Sequence, residues 1–401
     1  MQEKNHNLKN NFPPESNNML ILHLKNLFIP KAIIMFVIRT ETDKQKLISI
    51  FFSILAVLLF SSCNDNPSEP VNQNYVWEIS SPEAEGMDSQ RIDSAFIHSK
   101  NLGYVDGLLI IRNGKIVAEK YFNGYDQNTA HNVKSVSKSF LSAIVGLALR
   151  ESYLSSLDLK VLDYFPEYVY QGIDERKKDV TIKHLMTMRM GIDTEENNLL
   201  DVLNTSNWIK TTIELPLLSA PGEKFRYNTL ETHLLSAILS KEIKMDLLEF
   251  ARKYLFEPMG ITIHNWMKDP QGYYFGGSEM YFTPRNMAVL GYLYLNKGKL
   301  NGKQIVPSEW VDLSLTKTWE KDSKEWGVLK DYNYGYLWWF GKINGYNMFW
   351  ALGYGGQTVL TFPDLNLIVV TTAGYDIGWD VDQERPILEI VSKYVLPAIK
   401  K

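Results

Sequence analysis

The chain has 401 residues, 45% hydrophobic, 22% charged and 12% aromatic, values near the globular average that exclude collagenous and largely disordered classes. A formal charge of −4 supplies no basic stripe for phosphates, so the expected partner is a small molecule or peptide and not nucleic acid. A single cysteine excludes an internal disulfide framework and every cysteine-cluster metal site.

That cysteine, Cys63, follows Lys44, Lys46 and an uncharged run, LISIFFSILAVLLF, closed by Ser61 and Ser62. The run spans 14 residues. A mature bilayer-spanning helix needs about 20, so the layout is that of a cleaved signal peptide. FSSC resembles a bacterial lipoprotein box, with Phe60 where Leu is usual. The resemblance implies that Cys63 is lipidated, which would anchor the protein to a membrane and face it to the periplasm or cell exterior. The alternative is an uncleaved anchor helix with an incidental cysteine, which also puts the folded mass outside the cytoplasm. Residues 1–34 match no secretion layout, and Met35 is an alternative start. Residues 1–62 are thus an N-terminal extension and signal peptide, and 63–75, polar with two prolines, a tether. From residue 63 onward 35 basic residues face 42 acidic ones, a charge of −7.

No internal repeat interrupts 76–401, which reads as one folded domain. Asp88 caps a helix through Ser99 that places Ile92, Phe96 and the stem of Lys100 on one face. Asn113-Gly114 between two β-rich runs marks a hairpin. The run SVSKSFLSAIVGLALR, 135–150, is small and apolar almost all round, the pattern of a buried helix. Residues 151–280 show helical periodicity, in TIKHLMTMRMG, THLLSAILSK and MDLLEFARKYL. Thr283-Pro284 opens a helix through Leu295. YGYLWWFG, NMFWALG, TVLTF and LNLIVVTTA then read as antiparallel strands, and 385–399 as a closing helix despite Pro397. The expected class is α+β: an antiparallel sheet flanked by helices, built from both chain ends, with an inserted mainly helical lobe at about 151–280.

Ser135-Val136-Ser137-Lys138 is an S-x-x-K box, and Ser314 to Lys317 forms another. Context separates them. Three residues apart on a helix, a hydroxyl and an amine share one face. At the start of a buried helix the amine loses solvation and becomes a neutral acceptor for the serine proton. The Ser135 N–H at that helix start is a ready oxyanion donor. Ser314 follows an ordinary amphipathic segment with no partner box, which leaves it on the surface. A serine–lysine pair also needs a group that hands a proton to the leaving atom. Tyr227, between a tight turn and an apolar helix, is a phenol able to do so.

These boxes resemble the serine hydrolases related to class C β-lactamases, penicillin-binding proteins, esterases and 6-aminohexanoate-dimer hydrolases, which share S-x-x-K, Y-x-N and a third box on a sheet strand. Further similar stretches occur in the same order over about 80–398: ITIKHLMTMRMGI, PGEKFRY, FARKYLFEPMGI, GGSEMYFTPRNMAVLGYLYL, GKQIVPSEWV and ALGYGGQ. The resemblance implies a β-lactamase/transpeptidase-like fold, acylation of Ser135, Lys138 as its base partner and Tyr227 as the proton shuttle, with no cofactor. The second box ends in Thr229 where Asn is usual, so a hydroxyl stands in for the amide that contacts substrate. The third box survives only as Ala351-Leu352-Gly353 or Gly353-Tyr354-Gly355-Gly356, without a cation. Its loss argues against a dedicated β-lactamase and for an ester, amide, peptide-like or oligoamide substrate. Backbone N–H groups around Tyr354, Gly355 and Gly356 are candidates for the second oxyanion donor, and Gly353 for substrate contact.

Trp208, Trp266, Tyr274, Tyr281, Trp338, Trp339 and Trp350 are candidates for an acyl pocket, Trp208 and Trp339 foremost, each weighed against an ordinary core role. His131 and His233 read as structural. Without G-x-S-x-G, H-E-x-x-H, a P-loop or G-x-G-x-x-G, the chain offers no triad elbow, metal or nucleotide motif. The altered boxes keep open a non-catalytic envelope protein that binds peptide or glycan. The oligomeric state stays open too.

Overall fold

The computed structural model describes residues 75–318, 324–378 and 381–400. The expectations for the signal peptide, for Cys63 and for the tether up to residue 74 lie outside the described residues. Among those described, nine strands form one sheet. Its order is Glu78–Ile79, Lys115–Tyr121, Val105–Arg112, Leu367–Ala373, Gln357–Phe362, Tyr346–Gly353, Trp339–Ile343, Leu329–Tyr334 and Lys324–Trp326. The N-terminal hairpin lies against the last strand, with Leu109 opposite Val370 and Ile111 opposite Ile368, so both chain ends build the sheet. Asn113 and Gly114 both take positive φ, 53° and 78°, as a two-residue hairpin turn matched to strand twist requires. One pairing departs from the antiparallel expectation: Glu78–Ile79 runs parallel to Lys115–Tyr121. The sheet is mixed because a two-residue edge strand is too short to carry a sequence pattern.

Every residue of Gln357–Phe362 and Leu367–Ala373 is buried, which requires cover on both faces. The helix Pro284–Leu295 supplies part of it. Its Gly291 lies so near the sheet that a Cβ would stand 2.8 Å from Val359 Cγ1. Thr283 caps this helix by accepting the Asn286 N–H at 3.2 Å. The helix Ser89–Asn101, capped by Asp88, packs against the C-terminal helical segment. It buries Ile92, Ala95, Phe96 and Ser99; Ser99 takes the place foreseen for the stem of Lys100, which is exposed. The C-terminal segment runs from Glu384 to Ala398 but widens to a π turn at Val391–Val395 and tightens at Leu396–Ala398. A proline at 397 cannot continue an α ladder.

The inserted stretch carries the helices Ile182–Met186, Leu199–Leu203, Trp208–Glu214, Thr229–Glu242 and Leu247–Ala251, with longer connections at 187–198 and 215–228. Ser314, expected on the surface, is buried instead. Its hydroxyl returns to the Val311 carbonyl at 3.1 Å, which satisfies it inside, while Lys317 is exposed.

The central helix, Val136–Arg150, is buried from Val136 through Ala148. A helix without a polar face must be packed from all sides, and Gly146 shows how closely: a Cβ there would stand 2.3 Å from the Trp310 ring. Gly146→Ala is therefore expected to lower stability by about 1–3 kcal/mol despite the better helix propensity of alanine. Thermal unfolding measures this, and an unchanged Tm would show that Trp310 moves aside.

Candidate active site

Ser135 is the N-cap residue of the central helix, yet its hydroxyl makes no capping bond. One turn on, Lys138 is only 1% exposed. Its Nζ lies 2.8 Å from Ser135 Oγ, 2.8 Å from Thr229 Oγ1 and 2.9 Å from the Gly277 carbonyl oxygen. Burial lowers the amine to about 8, against the opposing pull of the Glu195 carboxylate. The Gly277 carbonyl gets there because Gly276-Gly277 lies flat on the helix Thr229–Glu242. A Cβ at Gly277 would meet Thr232 Oγ1 at 2.4 Å and Thr229 Cγ2 at 2.6 Å.

Tyr227 joins this pair: its ring centroid is 4.9 Å from Lys138 Nζ. The ring is stacked on Trp339 at 5.3 Å and meets Tyr334 edge-on at 5.9 Å. Burial first, then the charge of Glu195, push the phenol well above its ordinary value, while the Ser135 hydroxyl opposes them. The phenol thus keeps its proton at a pH where the amine is partly neutral. The arrangement suits an amine base and a phenol donor.

The rest of the second box is committed internally. Asn228 donates to the Asp193 carbonyl at 2.8 Å and to Asn198 Oδ1 at 2.9 Å, and accepts the Leu230 N–H at 2.8 Å. Thr229 lines the cleft, but its hydroxyl accepts from Lys138 and donates to Glu195 Oε2 at 2.5 Å. It is therefore not the open substrate ligand that the sequence suggests.

The third-box turn joins the strands Tyr346–Gly353 and Gln357–Phe362, and here the structure corrects the expectation. The Gly355 N–H donates to Glu384 Oε1 at 2.9 Å, and the Gly356 N–H also supports that carboxyl. Both groups face the start of the C-terminal helix, so neither is placed as an oxyanion donor. Of the three residues, Tyr354 lines the cleft with Ser135. Gly353 is a close approach and not a substrate contact, for a Cβ there would stand 2.3 Å from the Val133 carbonyl oxygen.

The cleft, of about 520 Å³, has an apolar side of Leu199, Leu200, Leu203 and Phe275. A cation missing from the third box enters it from another element. Lys134, in the left-handed region with φ 49°, pairs with Glu279 at 3.1 Å, and its Nζ lies 3.9 Å from the Tyr375 ring centroid. Glu279, with φ 64°, also accepts from Asn132 at 2.5 Å. Glu195, Gly277, Lys134 and Glu279 were not foreseen. Lys134 adjoins Ser135 in sequence and Gly277 lies in a recognised stretch, but nothing local marks Glu195.

The aromatic candidates belong largely to the core. Trp338 and Trp350 are fully buried, and Trp266 and Tyr274 nearly so. None of these, nor Tyr281, lines the cleft. Trp208 supports the cleft from behind, edge-on to Phe275 at 5.1 Å, and Trp339 backs Tyr227. His233 pairs with Asp269 at 2.9 Å in the interior. Burial lowers His131 to about 4, a neutral imidazole beside Asp106.

With this geometry agree the comparisons with known proteins. The Beta-lactamase family model matches residues 83–383, and the chain belongs to that family of serine hydrolases with a β-lactamase/transpeptidase-like fold. It is 25% identical over 328 residues to an uncharacterized protein of Alkalihalophilus pseudofirmus, covering 71% of this chain and 89% of the relative. It is 22% identical over 307 residues to the 6-aminohexanoate-dimer hydrolase of Paenarthrobacter ureafaciens, covering 67% and 72%. In fold it is similar to EstCE1, a hydrolase with promiscuous acyltransferase activity, at TM-score 0.62 and 16% identity, covering 78% of this chain and 99% of the other. The octameric penicillin-binding protein homologue of Pyrococcus abyssi gives TM-score 0.61 and 19% identity, covering 78% of each chain.

Because Gly353 abuts the backbone just before Ser135, Gly353→Ala forces the strand end and the nucleophile turn apart. Ester hydrolysis is expected to fall about tenfold or more while the fold persists, since misplacement by an ångström costs up to about a hundredfold. Wild-type kcat/KM in this variant would show that the contact does not position the site.

Proposed function

We propose that the protein hydrolyses an ester or amide through an acyl-enzyme on Ser135, and that it is not a dedicated β-lactamase. One observation carries the reading: a buried amine of lowered basicity lies 2.8 Å from the hydroxyl of the serine at the helix start and beneath a protonated phenol. Ser135 Oγ bonds to the substrate carbonyl carbon as its proton passes to Lys138 Nζ. The scissile bond then breaks, and the leaving oxygen or nitrogen takes the Tyr227 proton, which the Lys138 ammonium replaces. Water attacks the acyl ester, releases the acid and restores the Ser135 hydroxyl. The Ser135 N–H, with that of Tyr354, stabilises the oxyanion, each donor worth roughly 3–4 kcal/mol.

The substrate class follows from the cleft. The third-box turn offers no cation to a β-lactam carboxylate, and Lys134 is already paired with Glu279. An apolar acyl group fits the leucine side, consistent with an esterase-like or oligoamide substrate. The names of the 6-aminohexanoate-dimer hydrolase and EstCE1 support both.

Ser135→Ala is expected to lower p-nitrophenyl ester hydrolysis by more than about a thousandfold and to abolish fluorophosphonate labelling. Equal activity in the mutant ends the assignment. The base works when neutral, so kcat/KM should rise with pH through a midpoint of about 8 and level off above it. A panel of esters, D-amino-acid amides and nitrocefin is expected to favour the first two.

Export and lipid anchoring at Cys63 are part of the same proposal, supported by the charged, apolar and small-residue order of 44–63. Cys63→Ala should release the protein from bacterial membranes in fractionation. Unchanged partitioning refutes lipidation.

A further inference from the structure

The departure from Asn at the end of the second box has a counterpart in Glu195, which lines the same cleft. Thr229 Oγ1 lies 2.8 Å from Lys138 Nζ and 2.5 Å from Glu195 Oε2. A carboxylate oxygen only accepts, so the threonine hydrogen is committed to Glu195. The same oxygen takes the Thr229 backbone N–H at 2.9 Å, and the Glu195 N–H donates to the Tyr227 carbonyl at 3.2 Å, which fixes the carboxylate. Thr229 Oγ1 therefore meets Lys138 only as an acceptor. So does the Gly277 carbonyl, at 2.9 Å. A charged Lys138 can donate to all three neighbours. A neutral amine has two hydrogens and one lone pair; with both hydrogens taken, the lone pair is left for Ser135 Oγ.

We propose that Glu195 is a positioning residue: through Thr229 it sets the hydrogen-bond polarity around Lys138, so that the neutral amine turns its lone pair to the Ser135 hydroxyl hydrogen. This rests on the reading of Lys138 as the base. Without the carboxylate, the Thr229 hydroxyl can rotate and donate to the amine lone pair, which withdraws the base from the serine. The proton balance is simple: the Oγ–H bond breaks, an Nζ–H bond forms, and Oγ bonds to the acyl carbon. Glu195 gains and loses nothing. Its charge also opposes the effect of burial on Lys138, so removing it lowers the basicity of the amine further.

Four variants separate polarity from charge: Glu195→Gln, Glu195→Ala, Thr229→Ser and Thr229→Val. The readout is single-turnover acylation by a p-nitrophenyl ester from about pH 6 to 10, normalised to sites titrated with a fluorophosphonate so that misfolded protein does not count. Thr229→Ser keeps the hydroxyl and should lose less of the plateau than Thr229→Val, with the limb in place. Glu195→Gln keeps an acceptor oxygen without the charge; its plateau should stay within about threefold while the rising limb moves to lower pH. Glu195→Ala and Thr229→Val should lose about tenfold or more of the plateau, and Glu195→Ala should also move the limb to lower pH. A role limited to packing would move no limb and would spare Thr229→Val, which keeps the shape of threonine and removes only its hydroxyl. A Glu195→Ala protein with the wild-type plateau and limb, or equal losses in Gln and Ala with the limb in place, overturns the inference alone. A wild-type protein that never forms an adduct overturns the acyl-enzyme reading beneath it as well.

Discussion

The site rests on the desolvation of one amine. Moving Lys138 from its ordinary basicity to about 8 corresponds to about 3 kcal/mol of preference for the neutral form, supplied by the surrounding protein. That preference exists because the central helix is buried from Val136 to Ala148 and because the Gly276-Gly277 strip, lying tightly on the helix Thr229–Glu242, brings its carbonyl onto the amine. A single added methyl at Gly277 would collide with Thr229 or Thr232 and lift the carbonyl that holds the amine. Packing of the core and chemistry of the cleft are thus one construction here. The same burial that hides the lysine makes its neutral form available near physiological pH.

In the proposed reaction, the relative basicity of the amine and the phenol divides the labour between them. Both are desolvated, but burial acts in opposite senses: it favours the neutral amine, the proposed base, and the neutral phenol, the proposed acid. Glu195 lies near both and disfavours the phenolate further. A Tyr227 phenolate acting as the initial base would have to be formed against all of these influences. The aromatic stack of Tyr227, Trp339 and Tyr332, with ring centroids 5.3 and 4.8 Å apart, holds the phenol as a fixed donor.

Much of this was legible in the sequence because it depends on local rules. Asp88 and Thr283 cap helices through their own side chains, and Asn113-Gly114 turns a hairpin through its own backbone. The serine and lysine meet because they are one helical turn apart, whatever the rest of the fold does. Glu195, Gly277 and Glu384 were hidden for the opposite reason. Each acts on a residue far along the chain: Glu195 on Thr229, Gly277 on Lys138, and Glu384 on Gly355. No periodicity records such meetings. The misreading of Gly355 and Gly356 has the same origin, since glycines in a turn show that N–H groups are accessible but not what they face.

Those hidden contacts also explain how the altered boxes can coexist with an intact trio. Replacing an amide by the shorter Thr229 hydroxyl removes a hydrogen-bonding arm from the cleft, yet leaves an oxygen at the distance Lys138 requires. Glu195, Leu199 and Leu203 line the same cleft as Thr229. The missing third-box cation is matched by Lys134, whose Cβ lies 3.2 Å from where a Cβ at Gly353 would stand, beside the same turn, and which is held by Glu279 and by the Tyr375 ring. A compensated ion pair recognises a net charge poorly, because a ligand carboxylate must first displace Glu279 from Lys134. Under the proposed function, substrate choice in such a cleft therefore falls to the fit of an apolar acyl chain, while the proposed acylating groups beneath it stay the same.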